Sequence, residues 1–525
     1  MNDPTSPEPS DNAHAAVHEA LLPNVTSQSL VALMAQAPLE ARWMIIECNA
    51  DYPEGMRIAR AVVRQIVQSV AGDAALARDD ADLVNDYVYV KLDQAQLNSV
   101  LAMDGANAMN SALARAEPNQ TSEALAKTPP PAPHRSLRAI RRVWNSMALK
   151  RLTIESIRTV KADAAHSSFM ALGEDIVWAV LDSGIDASHP HFKTYDNILN
   201  SAPLLPRNFS PTSTADPLTD PDGHGTHVAG IIAGQCDPKG PMVLAAVQSI
   251  AEDGTPNEFH LHDVSAIRGM APKCKILSLR IFDDAGDGDD IAAMQALEYV
   301  MELNAYGAHP RVHGVNLSAG YLPDPQTYGV GHSPLCRTID RLVRSGVVVV
   351  CAAGNFGWTP GSTDANGMVQ PGQSGALASI ADPGNAGLAI TVGSTHREKP
   401  HTYGVSFFSS KGPTVDGRMK PDVVAPGERI ISCATGTVKK KVQGYLPAPA
   451  DGVIRDFAYA EDSGTSMSAP HVSGVVAAFL SVRREFIGEP ERVLEIVRAS
   501  AIDLRRDPHV QGSGLIDLFG MLQGA

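Results

Sequence analysis

Three short stretches set a carboxylate, an imidazole and a hydroxyl in contexts suited to catalysis: Asp182-Ser183-Gly184, His224-Gly225-Thr226-His227 and Gly464-Thr465-Ser466-Met467. A serine hydroxyl is a weak nucleophile at neutral pH. It becomes effective when an imidazole takes its proton and a carboxylate orients that imidazole. The chemistry open to such a trio is acyl transfer. Its tetrahedral intermediate needs fixed donors where negative charge develops. Asn355, which ends the run Gly346-Val347-Val348-Val349-Val350-Cys351-Ala352-Ala353-Gly354-Asn355, offers a side-chain amide, and the backbone N–H of Ser466 offers a second donor.

The elements that must position these groups are readable around each of them. Ile176 to Leu181 is a continuous apolar run, the pattern of a strand buried on both faces, and it delivers Asp182 to its carboxyl end. Sites on open α/β sheets gather at that edge, and Ser183-Gly184 lets the backbone turn away. Gly223 and Gly225 flank His224, and the small-residue run that follows to Ala233 reads as a helix with His224 at its entrance. Ser466 stands where a loop becomes the apolar helix around Gly474 to Leu480, so backbone N–H groups of the first turn point at the reaction centre.

The chain order Asp, His, Ser is that of the subtilisin scaffold, and with these motifs the chain resembles a subtilisin-like serine protease of the subtilase family. The resemblance covers about 350 residues of the stretch from about Ser156 to the end, with Ser409-Ser410-Lys411-Gly412-Pro413, Lys420 to Gly427 and Gly512 to Leu518 as further matching segments and its departures in loops. It implies that Asp182, His224 and Ser466 are catalytic, with His224 rather than His227 as the base and His471 a packing residue, and that Asn355 serves the oxyanion. It also implies that Asn316, Leu317, Ser318, Ala319 and Gly320 line the primary specificity pocket and pair with the substrate backbone. Ala352, Ala353 and Gly354 would form the opposite wall, and Asp287 and Gly288 would flank the upstream substrate residues. The acidic run Asp283 to Asp290 suits basic residues at that place. The reading that weighs more is a solvated loop whose last Asp caps a helix from Ile291 to Leu303. Aligned as an EF-hand loop it has Ala285 and Met294 at ligand positions, so it is not one.

No metal or other cofactor is called for by the chemistry. A structural calcium ion stays open, because Cys236 to Ser265 replaces the short segment where many subtilases hold calcium, and the usual loop is not recognisable. Phe356 to Leu377 is a long insertion near the expected cleft.

With 525 residues, of which 44% are hydrophobic, the chain can bury a large core. A formal charge of −15 argues against nucleic acid as a partner. No run reads as a membrane span, and the N-terminus, acidic and Pro-bearing, lacks the apolar core of a signal peptide. A cytoplasmic location is expected, with secretion by another route left open. The six cysteines show no C-x-x-C or zinc-ligand spacing and read as reduced, buried thiols.

The expected fold class is α/β, a subtilisin-like parallel sheet covered by helices on both faces and preceded by a small α+β module. Residues 1–38 read as a mobile arm, 39–155 as the module and 156–525 as the catalytic domain. The module reads as strand (Arg42 to Cys48), helix (Pro53 to Val70), strand (Asp86 to Leu92), helix (Gln94 to Leu101) and a last strand near Leu137 to Trp144. Thr128 to Pro133 interrupts it as a stiff linker. In the first helix, Ile58, Val62, Ile66 and Val70 form the expected apolar stripe. This pattern resembles the inhibitory prodomain of subtilases, which implies a self-processing zymogen whose own module is an intramolecular inhibitor. The expected partners are protein or peptide substrates. The alternative is a non-catalytic peptide-binding pseudoprotease of the same fold, against which the four intact site residues speak.

Overall fold

The computed structural model describes residues 42–76, 86–115, 137–145, 148–151, 156–236, 243–250, 256–264, 267–323, 330–358, 376–446 and 455–524. The expected arm, the Pro-rich linker and most of the Phe356–Leu377 insertion lie outside them. The chain divides into two compact units, residues 1–146 and 147–525.

The first unit is a three-stranded antiparallel sheet in the order β2-β1-β3, with β1 at Arg42–Cys48, β2 at Tyr87–Leu92 and β3 at Ile140–Asn145. Helices α1 (Met56–Ala71) and α2 (Gln94–Arg115) pack against each other, and α1 packs on β1 and β2. Alternation in β1 sends Met44, Ile46 and Cys48 into one core with Val63, Ile66 and Val67 of α1. The buried stripe of α1 is therefore Ala59, Val63, Ile66 and Val67, and Ile58 is 44% exposed. The four-residue spacing read from the sequence lags the 3.6-residue turn, which carries the true core face one position on. At the start of α2, Asp93 and Gln96 form a reciprocal capping box, with Gln96 N–H donating to Asp93 Oδ1 at 2.8 Å and Asp93 N–H to Gln96 Oε1 at 3.0 Å.

The second unit is built on a seven-stranded sheet whose paired neighbours all run parallel. Its strands are β5 (Val177–Asp182), β6 (Arg207–Asn208), β9 (Lys275–Arg280), β11 (Gly314–Leu317), β13 (Val348–Ala352), β14 (Ile390–His396) and β15 (Val423–Glu428), in the order β15-β14-β13-β11-β5-β9-β6. Central strands buried on both faces explain the near-continuous apolar runs seen in sequence. Two helix pairs cover the sheet: α4 (His224–Ile232) with α8 (Thr465–Val482), and α5 (Asp290–Leu303) with α6 (Pro334–Arg344). α8 is long and apolar enough to cross a membrane, but 89% of it is buried in the fold, as befits a core helix.

The Cys236–Ser265 segment contributes a β-hairpin, β7 (Val243–Ile250) and β8 (Pro256–Val264). It joins β16 (Ile430–Cys433) and β17 (Tyr459–Asp462) in a sheet of order β16-β17-β7-β8. Asp289 caps α5 by accepting from Ala292 N–H at 2.8 Å. The helix thus starts one residue before the expected Ile291, and the buried Asp290 is its first residue rather than its cap.

Candidate active site

Asp182 ends β5 and is 1% exposed. Its Oδ1 accepts Ser183 N–H at 2.8 Å and lies 2.6 Å from His224 Nδ1. His224 is the first residue of α4, and its backbone N–H donates to Asp222 Oδ2 at 3.1 Å. With Nδ1–H committed to the carboxylate, Nε2 is the nitrogen left with the lone pair of a base. The two loops meet only because position 225 is glycine. A Cβ there would lie 2.2 Å from the Gly184 carbonyl oxygen and 3.0 Å from Asp182 Cβ. Gly184 makes the turn after the strand with φ of 105°.

Ser466 is the second residue of α8, so its N–H is one of the unpaired donors of a helix start. Its Oγ donates to Ser318 O at 2.8 Å, and Ser318 Oγ donates to Ser466 O at 2.7 Å. Asn355 faces the same turn. Its Oδ1 accepts both Thr465 N–H and Thr465 Oγ1–H at 3.0 Å, which fixes the amide and turns its Nδ2 donors the other way. Gly354 N–H donates to Thr465 Oγ1 at 3.2 Å, tying the end of β13 to the nucleophile turn.

The other histidines of the motifs are spent on backbone. His227 Nε2 bonds Ala460 O at 3.1 Å, and burial holds its ring well below the usual range. His471 Nδ1 bonds Met467 O at 2.7 Å while its Nε2 accepts Ser156 N–H; burial pushes it down to about 4. His471 is thus more than packing, since it anchors the chain where the described catalytic unit resumes at residue 156.

The residues expected to line the specificity pocket divide into two sets. Asn316 and Leu317 are interior residues of β11. Asn316 donates to Ser318 Oγ and accepts from Ser473 Oγ, both at 2.8 Å, so its amide supports the site from behind. Ser318, Ala319 and Gly320 carry the edge of a groove, with Ala319–Gly320 forming the short strand β12. Gly288–Asp289, directly after Asp287, forms β10. Between them runs β4 (Ala148–Arg151), antiparallel to both, with Gly288 opposite Leu149, Asp289 opposite Ala148, Ala319 opposite Arg151 and Gly320 opposite Lys150. The groove therefore holds an extended stretch of the protein's own chain. Ala352 ends β13, and Ala353 is tied to the next strand through Val392 O at 2.9 Å. In the acidic run, Asp284 pairs with Arg280 at 2.5 Å and Asp283 Oδ1 accepts two N–H groups of its own turn, while Asp284 and Asp287 are both exposed.

Sequence reasoning missed the groups that hold this geometry. Thr465 clamps Asn355, and Asp220, buried and four residues before His224, binds both the loop after Asp182 and the helix start at His224. Its polar type in a segment bound for the interior was the available signal. None of the six cysteines is in a disulfide and all are buried, and burial pushes the Cys48 and Cys351 thiols up to about 12, far from thiolate chemistry. Among the described residues no group of three His, Cys, Asp or Glu side chains gathers as a metal site requires.

Comparison with known proteins matches residues 173–520 to the subtilase family. The serine protease AprX of Bacillus subtilis (strain 168) is 25% identical over 391 residues, covering 73% of this chain and 75% of that protein. Subtilisin E of the same organism is 27% identical over 325 residues, 62% of this chain and 60% of its own length. Pyrolysin of Pyrococcus furiosus is 30% identical over 329 residues, 57% of this chain but 21% of that longer protein. Among solved structures, fervidolysin from Fervidobacterium pennivorans, described as a keratinolytic enzyme related to subtilisin, shares the fold. The TM-score is 0.56 at 20% identity, over 96% of this chain and 63% of the other. A family match over this much of the chain, on a parallel sheet that brings Asp182 to His224 at its carboxyl edge, makes the chain a member of the subtilase family of serine endopeptidases.

Proposed function

We propose that the chain hydrolyses peptide bonds through an acyl-enzyme formed on Ser466. Ser466 Oγ attacks the scissile carbonyl carbon as its proton passes to His224 Nε2. Asp182 holds the ring through Nδ1–H and stabilises the imidazolium. Collapse of the tetrahedral intermediate breaks the C–N bond, and His224 gives its proton to the leaving amine. Water then repeats the cycle on the ester. Asn355 Nδ2 and Ser466 N–H are the donors for the oxyanion. The observation that carries this reading is the 2.6 Å contact of His224 Nδ1 with a buried Asp182. The clamped Asn355 amide beside the Ser466 turn supports the rest of the scheme.

The substrates are protein or peptide segments bound extended, by backbone pairing to β10 and β12. We further propose that the enzyme is made as a zymogen and that the N-terminal module inhibits it. Support comes from β4, which lies in the last residues of the 39–155 segment and pairs as the middle strand between β10 and β12. The self-cleavage such a zymogen needs is expected between about Trp144 and Lys161, the stretch that contains β4.

The test is hydrolysis of casein and labelling by a fluorophosphonate probe, each measured for the wild type and Ser466→Ala. Labelling and turnover present in the wild type and absent in the variant support the reading. An unlabelled, inactive wild type would instead leave the peptide-binding pseudoprotease.

A further inference from the structure

A second buried carboxylate, which the hydrolysis scheme does not use, lies between the two catalytic loops. Asp220 is 5% exposed. Its Oδ1 accepts Ser183 Oγ–H at 2.9 Å and Gly223 N–H at 2.8 Å. Its Oδ2 accepts Thr226 N–H at 2.8 Å and Thr226 Oγ1–H at 2.6 Å. Four donors match the acceptor capacity of an ionised carboxylate, whereas a protonated one would also have to donate. Three of these partners flank His224 in sequence, and the fourth directly follows Asp182.

Ser183 is the hinge of this arrangement. Its Oγ accepts Gly225 N–H at 3.0 Å, next to His224 in the first turn of α4. Its single hydroxyl proton has two candidate acceptors, Asp220 Oδ1 at 2.9 Å and Asp182 Oδ1 at 3.3 Å, and the shorter contact is to Asp220. Asp182 Oδ1 already takes Ser183 N–H and His224 Nδ1, while Asp182 Oδ2 is buried with no partner. A third donor on Oδ1 would compete with the imidazole for the oxygen that orients it.

We propose that Asp220 is a positioning residue for catalysis, which holds the Ser183 hydroxyl proton off Asp182 Oδ1 and so reserves that oxygen for His224, while locking the two catalytic loops at one spacing. The inference rests on the reading of Asp182 and His224 as the working pair. Electrostatics points the same way. His224 sits at a helix N-terminus, where the helix dipole disfavours an imidazolium, and a buried negative charge nearby offsets it. Burial pushes the Asp220 carboxyl up to about 6, with bonds from Thr226 and Gly223 pulling it back, so it is charged at neutral pH. The other titratable or charged groups around it are Asp182 and Asp186 after β5, and Asp222, His224 and His227 of its own segment and helix. Arg280 donates to Thr219 O, and Lys439, on the segment bonded to Pro221 and Asp222, is paired with Asp456.

The test is steady-state kinetics across pH for the full-length chain, comparing wild type, Asp220→Asn, Ser183→Ala, the double variant and Ser466→Ala. In Asp220→Asn the side-chain NH₂ makes Ser183 an acceptor and turns its proton onto Asp182. The expected result is a kcat about 10- to 100-fold lower, the factor one misdirected charge-assisted hydrogen bond carries, with KM unchanged within about twofold. Loss of the negative charge also moves the midpoint of the acid limb down by about half a pH unit to one unit. In the Ser183→Ala background the same substitution should lose most of its effect on kcat. A wild-type acid limb together with additive losses would mean a purely structural role and overturn the proposal, as would a wild-type kcat in Asp220→Asn. If Asp220→Asn does not accumulate as folded protein, Asp220→Glu, which keeps the charge and its acceptors, and Ser183→Ala, which removes the competing proton, decide together: both should keep kcat within about threefold of wild type at constant KM, and a loss of about tenfold or more in Ser183→Ala overturns the proposal. An active Ser466→Ala removes the triad reading itself, so the two failures are distinct.

Discussion

The Asp182–His224 side of the site is held together by side chains, whereas the groove beside Ser466 is built from backbone. On the first side, Asp182, Ser183, Asp220, Asp222 and Thr226 each donate or accept at a named atom, and every one of them is buried or nearly so. In the groove, β10 and β12 are two residues long and offer their strand edges to whatever lies between them. A proton-transfer centre needs fixed distances and fixed acceptors. A site for many peptide sequences needs only the groups that all peptides share.

That contrast orders the expected effects of mutation. Ser466→Ala removes the nucleophile from the fixed side and truncates a buried side chain by one oxygen, so the fold should survive. Turnover should fall by roughly 10⁵ to 10⁶, the scale measured for such knockouts on the subtilisin scaffold. Substantial casein hydrolysis by the purified variant would move the chemistry elsewhere. Asn355→Ala deletes a donor that matters once the oxyanion has formed, and should cost about 10² to 10³ in kcat with KM nearly unchanged. A change confined to KM would reassign Asn355 to the groove.

The smallest effect belongs to the groove rim. Asp287 is exposed, so Asp287→Asn should raise KM by about twofold for substrates with Lys or Arg three or four residues before the scissile bond, at low salt only. An effect that persists in high salt, or that appears equally with neutral substrates, would argue for a structural loop and against charge recognition.

The same contrast explains what the sequence disclosed. Acyl transfer dictates residue types, so Asp182, His224, Ser466 and Asn355 could be nominated from type, order and flanking glycines, and the structure pairs Asp182 with His224. The parallel strands were legible too, because burial on both faces makes β5 and β13 unbroken apolar runs. The β4 segment was not legible as a strand, since Ala-Leu-Lys-Arg has no periodicity of its own and its pairing is supplied by the groove. The hairpin β7–β8 was passed over as a loop, although Phe259 and Leu261 alternate with His260 and His262 as a half-buried strand does. Ser183 looked like a turn residue because a hydrogen bond to Asp220, thirty-seven positions away, leaves no local trace. α2 extends to Arg115, well past the Leu101 at which its apolar period fades, so periodicity gave its existence but not its length.

The measurement that joins both sides of the site is N-terminal sequencing of the full-length chain after incubation, for the wild type and for Ser466→Ala. Cleavage requires the fixed side to act on the chain's own segment around β4. The expected result is a new N-terminus between about Trp144 and Lys161 in the wild type, an intact chain in Ser466→Ala, and inhibition of the processed enzyme by added residues 39–155. A wild-type protein that stays intact at 525 residues, is fully active and ignores the added module would contradict it.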